Sequence, residues 1–220
     1  DLGDGGNVVR FVPAEELVPV SGIATFNPAN KYTLWYTKPA TNWMTSCLPI
    51  GNGQFGATLM GDVAIDDVQF NDKTLWSGKL GGLTGTASYG YYLNFGNLYI
   101  RSRGMTTVTD YVRYLDINDA VAGVKYTMDG VAYSRTYFAS NPDSCVVVRY
   151  TASQNGKINT TLTLKNQNGR NVSYTVDNSN QATITFDGQV ARQDDHGATT
   201  PESYYCAARI VTDGGTITKN

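Results

Sequence analysis

The sequence predicts an all-β fold, a large antiparallel β-sandwich with little helix. From about Gly56 onward, short runs of alternating apolar and polar residues follow one another, and turn residues separate them. No stretch longer than about ten residues carries the 3.6-residue apolar period of an amphipathic helix. At 220 residues the chain has the size of one large sandwich, so its length alone does not require a second domain.

The hairpin over residues 124–138 is the clearest local prediction. Val124, Tyr126 and Met128 alternate with polar residues, as in a strand with one buried face. Asp129-Gly130 then supplies the pair of positive φ angles that a two-residue hairpin turn requires. We therefore expect the chain to return as a second strand over 131–138.

A second hairpin is predicted between 145–150 and 158–164, because Asn155-Gly156 forms another tight-turn pair between two apolar runs. Three further strands are expected in the remainder of the chain. They cover residues 172–176, 182–186 and 204–211.

The first thirty residues differ from the rest. Residues 8–12 fit a short strand and 14–17 a single helical turn, but prolines interrupt the segment. We therefore expect residues 1–31 to be an irregular opening segment that precedes a β-sandwich domain over 32–220.

Charge and hydropathy argue against two classes of partner. The formal net charge is −2, with 17 basic and 19 acidic residues interspersed, so no cationic face for nucleic acid is expected. No apolar run approaches the roughly 18 residues that span a bilayer. Residues 1–4 lack the basic and apolar regions of a signal peptide, so any export signal is expected to be absent or removed. We therefore predict a soluble chain without a membrane span.

Candidate catalytic and metal-binding residues are few. Cys47, Cys145 and Cys206 are too far apart for a metal knuckle and are expected to be free, mostly buried thiols. His196, the single histidine, lies in a polar, glycine-flanked loop and is expected to be solvated. The carboxylates that occur in pairs are Asp66-Asp67, Asp116 with Asp119, and Asp194-Asp195. We expect these to be solvated turn residues, and we predict no catalytic residue, no metal site and no cofactor.

Aromatic residues offer a different kind of site. Aromatic rings stack on the apolar faces of sugars, and Trp and Tyr also donate hydrogen bonds. The candidates are the cluster at 89–92 and the three tryptophans Trp35, Trp43 and Trp76. The same side chains also suit a sandwich core, and only their exposure distinguishes the two roles.

Two segments carry a specific signature: Trp-Met-Thr-Ser-Cys-Leu-Pro-Ile-Gly-Asn-Gly-Gln-Phe-Gly-Ala at 43–57 and Gln-Phe-Asn-Asp-Lys-Thr-Leu-Trp-Ser-Gly at 69–78. Together with Leu-Trp-Tyr-Thr-Lys-Pro-Ala at 34–40, they resemble the opening of glycoside hydrolase family 95, the inverting α-L-fucosidases. Stretches at 95–100, 111–117 and 133–140 follow in the order of that family. The resemblance runs from about residue 32 to near the C-terminus.

The resemblance implies an N-terminal β-sandwich whose catalytic partners, a general-acid Glu and a water-activating Asp, lie on a later helical toroid. Nothing in this chain corresponds to the toroid. We therefore expect a non-catalytic N-terminal domain, inactive alone, of an enzyme that removes terminal α-L-fucose from glycans by inverting hydrolysis. The expected partners are a fucosylated glycan, bound through the whole enzyme, and the catalytic domain, and the expected location is secreted or periplasmic. The alternatives are a carbohydrate-binding module and a purely structural sandwich.

The resemblance also yields candidates for residues near the substrate. They are Asn52, Gly53, Asn71, Thr74 and Trp76. Glycines on both sides of Asn52 allow a tight turn that projects its amide, which both donates and accepts hydrogen bonds. The same loops suit packing between domains equally well, and the sequence leaves the two roles open. Ser46-Cys47 stands where the family usually has Glu-Ala, which bears on sugar preference.

Overall fold

The computed structural model describes residues 20–21, 26–28, 31–76, 92–166, 172–193 and 199–219. Nearly all of their regular secondary structure is β-strand, which confirms the predicted fold class. The strands are β1 (Val20–Ser21), β2 (Thr33–Tyr36), β3 (Leu48–Gly51), β4 (Phe55–Leu59), β5 (Ile65–Asp72), β6 (Gly96–Ser102), β7 (Val108–Asp116), β8 (Val121–Met128), β9 (Val131–Ser140), β10 (Cys145–Ala152), β11 (Thr160–Lys165), β12 (Ser173–Asn178), β13 (Gln181–Gln193) and β14 (Thr199–Val211). One short helix, α1 (Trp43–Ser46), lies among the described residues. None of their helical segments is long and apolar enough to cross a membrane.

The described residues belong to two compact units. One is drawn from Asp1–Phe70 and Leu98–Thr163, and the other from Asn71–Asn97 and Leu164–Asn220. The strand predicted at 8–12 and the helical turn predicted at 14–17 lie outside the described residues.

A six-stranded sheet in the first unit has the order β1-β7-β8-β9-β10, and β2 also pairs with β7. β1 runs parallel to β7, whereas every other pair in this sheet is antiparallel. The predicted hairpin over 124–138 is confirmed, because Met128 pairs with Val131 across a two-residue turn. Asp129 and Gly130 in that turn have φ values of 51° and 72°.

The predicted pairing of 145–150 with 158–164 is wrong. β10 pairs with β9 along its whole length, while β11 lies beside β6 in a five-stranded sheet of order β11-β6-β5-β4-β3. A turn does occur at Gly156, where φ is 70°. The chain crosses to the other sheet there, and the Arg103 amide donates to the Asn159 carbonyl at 2.9 Å. The alternation of apolar and polar residues identifies the strands. Which strand each one pairs with depends on the sheet that its apolar face helps to bury.

The core of the first unit lies between these two sheets. The six-stranded sheet contributes Val108, Tyr111, Ala122, Val124, Tyr126, Val131, Tyr133 and Tyr137, and the five-stranded sheet contributes Ile50, Ala57, Leu59 and Val68. Because inward-facing residues of both sheets share one buried cluster, the unit is a β-sandwich.

A three-stranded sheet of order β12-β13-β14 forms most of the second unit. It contains the strands predicted at 172–176, 182–186 and 204–211, and two of them are longer than expected. Phe186 is fully buried and makes edge-to-face contacts with Phe95 and Tyr204. The Tyr204 ring lies directly over Gly188, where an added Cβ would be 2.3 Å from the ring.

Candidate functional site

The turn that joins β3 to β4 contains the first two candidates, Asn52 and Gly53. The Asn52 side-chain oxygen accepts hydrogen bonds from the amides of Gln54 and Phe55, at 2.9 and 2.7 Å. Gly53 has a φ of 90°, a conformation that L side chains rarely adopt. Asn52 therefore closes its own turn, and Gly53 makes the turn sterically possible.

A second set of hydrogen bonds fixes this turn to the end of β9. The Asn52 side-chain amide donates to the Ser140 backbone carbonyl at 2.7 Å, and the Asn141 side-chain amide donates to the Asn52 backbone carbonyl at 2.9 Å. Both polar atoms of the Asn52 side chain thus have partners inside the first unit. The geometry gives Asn52 a structural task that the sequence alone left open.

The next two candidates are Asn71, near the end of β5, and Thr74, two residues beyond that strand, and both belong to the second unit. Asp72 is buried, and its carboxylate accepts hydrogen bonds from the amide and the hydroxyl of Thr74, at 2.8 and 2.7 Å. The Asn71 side-chain oxygen accepts from the Asp72 amide at 2.9 Å. Thr74 is therefore part of a local turn held by Asp72, and Asp72 is a residue that the sequence reasoning missed. An Asp two residues before Thr is a common turn signal that could have identified it.

Trp76 presents its ring to solvent, with 38% of the residue exposed. It forms an isolated antiparallel bridge with Tyr92, and the two rings meet edge to face with centroids 4.7 Å apart. The preceding Leu75 is buried, and its carbonyl accepts from the Leu93 amide at 3.0 Å. The backbone on both sides thus holds an exposed aromatic pair. Of the cluster at 89–92, only Tyr92 lies among the described residues.

The five candidates do not form one described site. Asn52 and Gly53 belong to the first unit, whereas Asn71, Thr74 and Trp76 belong to the second. Each group is therefore assessed by its own contacts. In the first group the side-chain contacts are internal, and in the second group Trp76 is the candidate with an exposed ring.

The other two tryptophans have different environments. The Trp43 indole donates to the Thr58 hydroxyl at 2.7 Å and is half-buried, so it has a structural partner. Trp35 is 42% exposed on β2 and contacts the Phe26 ring at 5.8 Å. Trp35 and Trp76 therefore have rings exposed enough to contact a ligand, whereas Trp43 is half-buried and has a structural partner.

The Ser46-Cys47 pair lies at the end of α1. The Arg113 guanidinium donates to the Ser46 carbonyl at 2.8 Å, and the Cys47 thiol donates to the Trp43 carbonyl at 2.7 Å. Burial raises the pKa of Cys47 to about 11. The thiol is protonated at neutral pH and is therefore a poor nucleophile. All three cysteines are free and half-buried, which confirms that prediction in its main part.

Asp66 is buried, which contradicts the prediction of a solvated turn residue. It forms an ion pair with Arg135 at 3.1 Å, and both side chains are fully inaccessible. Tyr137 donates a hydrogen bond to the same carboxylate, and the Gly61 amide donates to its other oxygen at 2.8 Å. Burial and then the charge of Asp66 raise the pKa of Tyr137 well above its usual value. The carboxylate faces the core because β5 directs it toward β9.

The remaining carboxylates give a mixed outcome. Asp67 is also buried, so the prediction of a solvated residue is wrong for it too. Asp116 lies at a turn but is buried rather than solvated, because it accepts from the Asn118 and Asp119 amides, whereas Asp119 is exposed as predicted. Asp194-Asp195 and His196 lie outside the described residues. Among the residues that the structure does describe, no cluster of three or more potential ligands is arranged to hold a metal ion.

The fold defines a β-sandwich domain, and a family match gives its class. The profile of glycosyl hydrolase family 65, N-terminal domain, matches residues 34–87 and 82–220. The chain therefore belongs to this family of N-terminal domains. The family number differs from that of the family that the sequence motifs resemble, but the assignment to an N-terminal domain of a glycoside hydrolase is confirmed.

The relatives that match this chain carry fucosidase names. The chain is 30% identical over 159 residues to alpha-L-fucosidase 2 of Arabidopsis thaliana, covering 57% of this chain and 19% of the relative. It is 27% identical over 158 residues to a probable alpha-fucosidase A of Aspergillus niger, covering 55% and 20%. A probable alpha-fucosidase A of Aspergillus oryzae matches at 23% over 236 residues, covering 90% and 28%. The chain thus spans less than a third of the length of these relatives.

Proposed function

We propose that this chain is the non-catalytic N-terminal domain of an enzyme that removes terminal α-L-fucose from glycans by inverting hydrolysis. The domain supplies packing and sugar contacts, and the acid–base carboxylates come from the remainder of the enzyme. The family match and the fucosidase names of the relatives support this proposal. The length of the relatives leaves room for a separate catalytic part.

The exposed ring of Trp76 is the observation that carries the sugar-binding part. Fucose is a 6-deoxy sugar, so it presents a methyl group and an apolar C–H face on which an indole can stack. The edge-to-face contact with Tyr92 fixes the ring without covering it, since Trp76 remains 38% exposed. A fixed ring loses little side-chain entropy when a ligand binds.

Asn71 provides a polar group on the same segment. Its side-chain oxygen is used by the Asp72 amide, while its side-chain NH₂ makes no hydrogen bond to the described residues. An amide donor of this kind suits a sugar hydroxyl, which accepts as well as donates. Thr74, by contrast, uses its hydroxyl on Asp72, so we assign it to holding the segment in place.

The test is Trp76→Ala in the full-length enzyme, assayed on a fucosyl-α-1,2-galactoside. We expect KM to rise and kcat/KM to fall by about tenfold, which corresponds to about 1.4 kcal/mol of lost binding. Tyr205→Ala is the matched control, because Tyr205 is also an exposed aromatic of the second unit, at 65%. An unchanged kcat/KM for Trp76→Ala would remove the sugar contact from the proposal.

A structural role is the second candidate function, and the hydrogen bonds of Asn52 favour it for the first unit. Both its side-chain oxygen and its amide bind within that unit. If Trp76→Ala leaves kcat/KM unchanged while removal of the domain abolishes folding of the enzyme, the sandwich acts only as a scaffold.

The proposed location is secreted or periplasmic, because the glycans that the enzyme would act on are displayed outside the cytoplasm. Cell fractionation with an antibody against the chain tests this. Recovery of the protein in the cytoplasmic fraction alone would contradict it.

A further inference from the structure

The outer face of the six-stranded sheet contains a groove with a volume of about 590 Å³. Val112, Lys125, Ser134 and Thr151 are paired in register across β7 to β10, so they form one row over four adjacent strands, in which Val112 is buried and the other three are accessible. Their neighbours along the strands, such as Tyr126 on β8, belong to the core cluster. Because side chains alternate between the faces of a strand, this row points away from the core.

A β-bulge brings a carboxylate to the groove. Thr109 pairs with Thr127 and Val112 pairs with Lys125, so β7 contains one more residue than β8 between these two pairs. Asp110 lies in this bulge with a φ of 55° and lines the groove. A bulge redirects a side chain that regular pairing would place elsewhere, and non-glycine residues in this conformation are uncommon.

An aromatic ring lies at the end of the groove. Phe26, which lines it, stacks on Tyr114 with centroids 5.5 Å apart and planes 24° from parallel. Tyr114 lies flat against the sheet because its partner in the next strand is Gly123, where an added Cβ would be 2.4 Å from the ring. The glycine therefore creates the flat surface on which Phe26 packs.

The polar groups of the groove keep hydrogen-bonding capacity toward a ligand, although the Thr109 hydroxyl donates to one Asp110 carboxylate oxygen at 3.0 Å. Among the described residues, Asp110 and Lys125 form no ion pair with each other or with any other side chain. The Lys125 ammonium lies 5.5 Å from the Tyr114 ring, and the hydroxyls of Thr127 and Ser134 make no hydrogen bond to the described residues. The groove thus offers one negatively charged hydrogen-bond acceptor, one positively charged donor and two hydroxyls.

We propose that this groove binds a neutral saccharide unit. Sugar hydroxyls both donate and accept, so one carboxylate, one ammonium and two hydroxyls match them, while Phe26 suits an apolar sugar face. The opposite charges of Asp110 and Lys125 cancel, which favours a neutral ligand over a phosphate or an acidic sugar. The volume also falls in the range of about 300–1,000 Å³ that is usual for small-molecule sites.

The choice of a fucosylated probe rests on the proposed function, whereas the groove itself is argued from the first unit alone. The test uses the 220-residue chain labelled with ¹⁵N and titrated with 2′-fucosyllactose, lactose and 3′-sialyllactose. We expect amide shifts at Lys125, Ser134 and Thr151 with the two neutral sugars, and at least tenfold weaker binding of the acidic one. Repeating the titration with Trp76→Ala separates the two proposals, because that change leaves the groove intact.

Two substitutions make the assignment specific. Asp110→Asn keeps the shape and the tolerance for positive φ but removes the charge, and Lys125→Met removes the ammonium. Each should weaken binding of 2′-fucosyllactose about tenfold or more. Lys157→Met and Asp213→Asn are the matched controls, since both residues are exposed and neither lines the groove.

The proposal is overturned by any of three results. The groove amides remain unshifted at sugar concentrations well above a millimolar, or the shifts map only around Trp76 and Tyr92. The third result is that 3′-sialyllactose binds as tightly as the neutral sugars and that Asp110→Asn and Lys125→Met bind 2′-fucosyllactose as tightly as the wild type. Loss of fucosidase activity in the full-length Trp76→Ala enzyme, with the groove shifts retained, supports both proposals independently.

Discussion

Replacing Asn52 with Ala tests whether the most specific sequence motif of this chain is structural. The substitution removes two hydrogen bonds accepted from Gln54 and Phe55 and one donated to Ser140. At about 1 kcal/mol net for each bond, the free energy of unfolding should fall by about 2–3 kcal/mol. With a urea m value of about 2 kcal/mol/M, the midpoint of unfolding should fall by about 1 M or slightly more.

The assay is urea unfolding of the 220-residue chain, followed by tryptophan fluorescence. Asn52→Asp should lie between wild type and Asn52→Ala, because a carboxylate keeps the acceptor for the turn but cannot donate to Ser140. Asn155→Ala, in another exposed turn, is the control and should change stability by less than about 0.5 kcal/mol. If Asn52→Ala also stays within that limit, the internal bonds do not hold the turn and a substrate role becomes the better explanation.

Three further predictions concern buried or half-buried groups. Asp66→Asn leaves the fully buried guanidinium of Arg135 without its counter-charge and should destabilise the chain by about 3–5 kcal/mol in urea unfolding. Gly188→Ala places a methyl group 2.3 Å from the Tyr204 ring and should cost about 1–3 kcal/mol in the same assay. Cys47, with its pKa raised to about 11, should react slowly with iodoacetamide at pH 8, as followed by peptide mass spectrometry.

Each of these predictions has its own control. Asp119→Asn removes an exposed carboxylate and should be nearly neutral, so equal losses at both positions would refute the ion-pair argument. Combining Gly188→Ala with Tyr204→Ala should recover part of the loss, because the clash is with that ring. The thiol of Cys47 prefers its protonated form in the fold, so its contribution to stability is complete below pH 9, the ordinary value, and declines as pH rises toward 11. Rapid labelling of Cys47 at pH 8 would show that its environment does not suppress the thiolate.

Local chemistry explains which parts of the fold the sequence could predict. Asp129-Gly130 specifies its turn by backbone conformation alone, and the two strands on either side must then pair. Asn155-Gly156 is an equally strong turn signal, but the strands around it belong to different sheets. A turn motif therefore reports a change of direction, and the partner of each strand depends on contacts that are distant in sequence.

The buried carboxylate of Asp66 shows a second limit. Two adjacent acidic residues resemble a solvated turn, and nothing near them in sequence indicates otherwise. The burial of Asp66 is matched by Arg135, which is 69 positions later in the chain and reaches Asp66 across the sandwich. A sequence pattern cannot show that a charge has a partner unless the sheet pairing is already known.

The candidate loops show how a family signature and a binding contact can involve different residues. Asn52 and Thr74 are polar candidates from the two signature segments, yet their side chains bind within their own units. Such residues are required because few alternatives satisfy the same backbone groups in the same turn. Trp76 has the opposite environment, since its neighbour Leu75 anchors the backbone while its own ring faces solvent. Substitutions of Asn52 or Thr74 should therefore lower the urea midpoint without raising KM, whereas Trp76→Ala should raise KM at unchanged stability. The reverse pattern would place the sugar contact at Asn52 and leave Trp76 as an exposed structural residue.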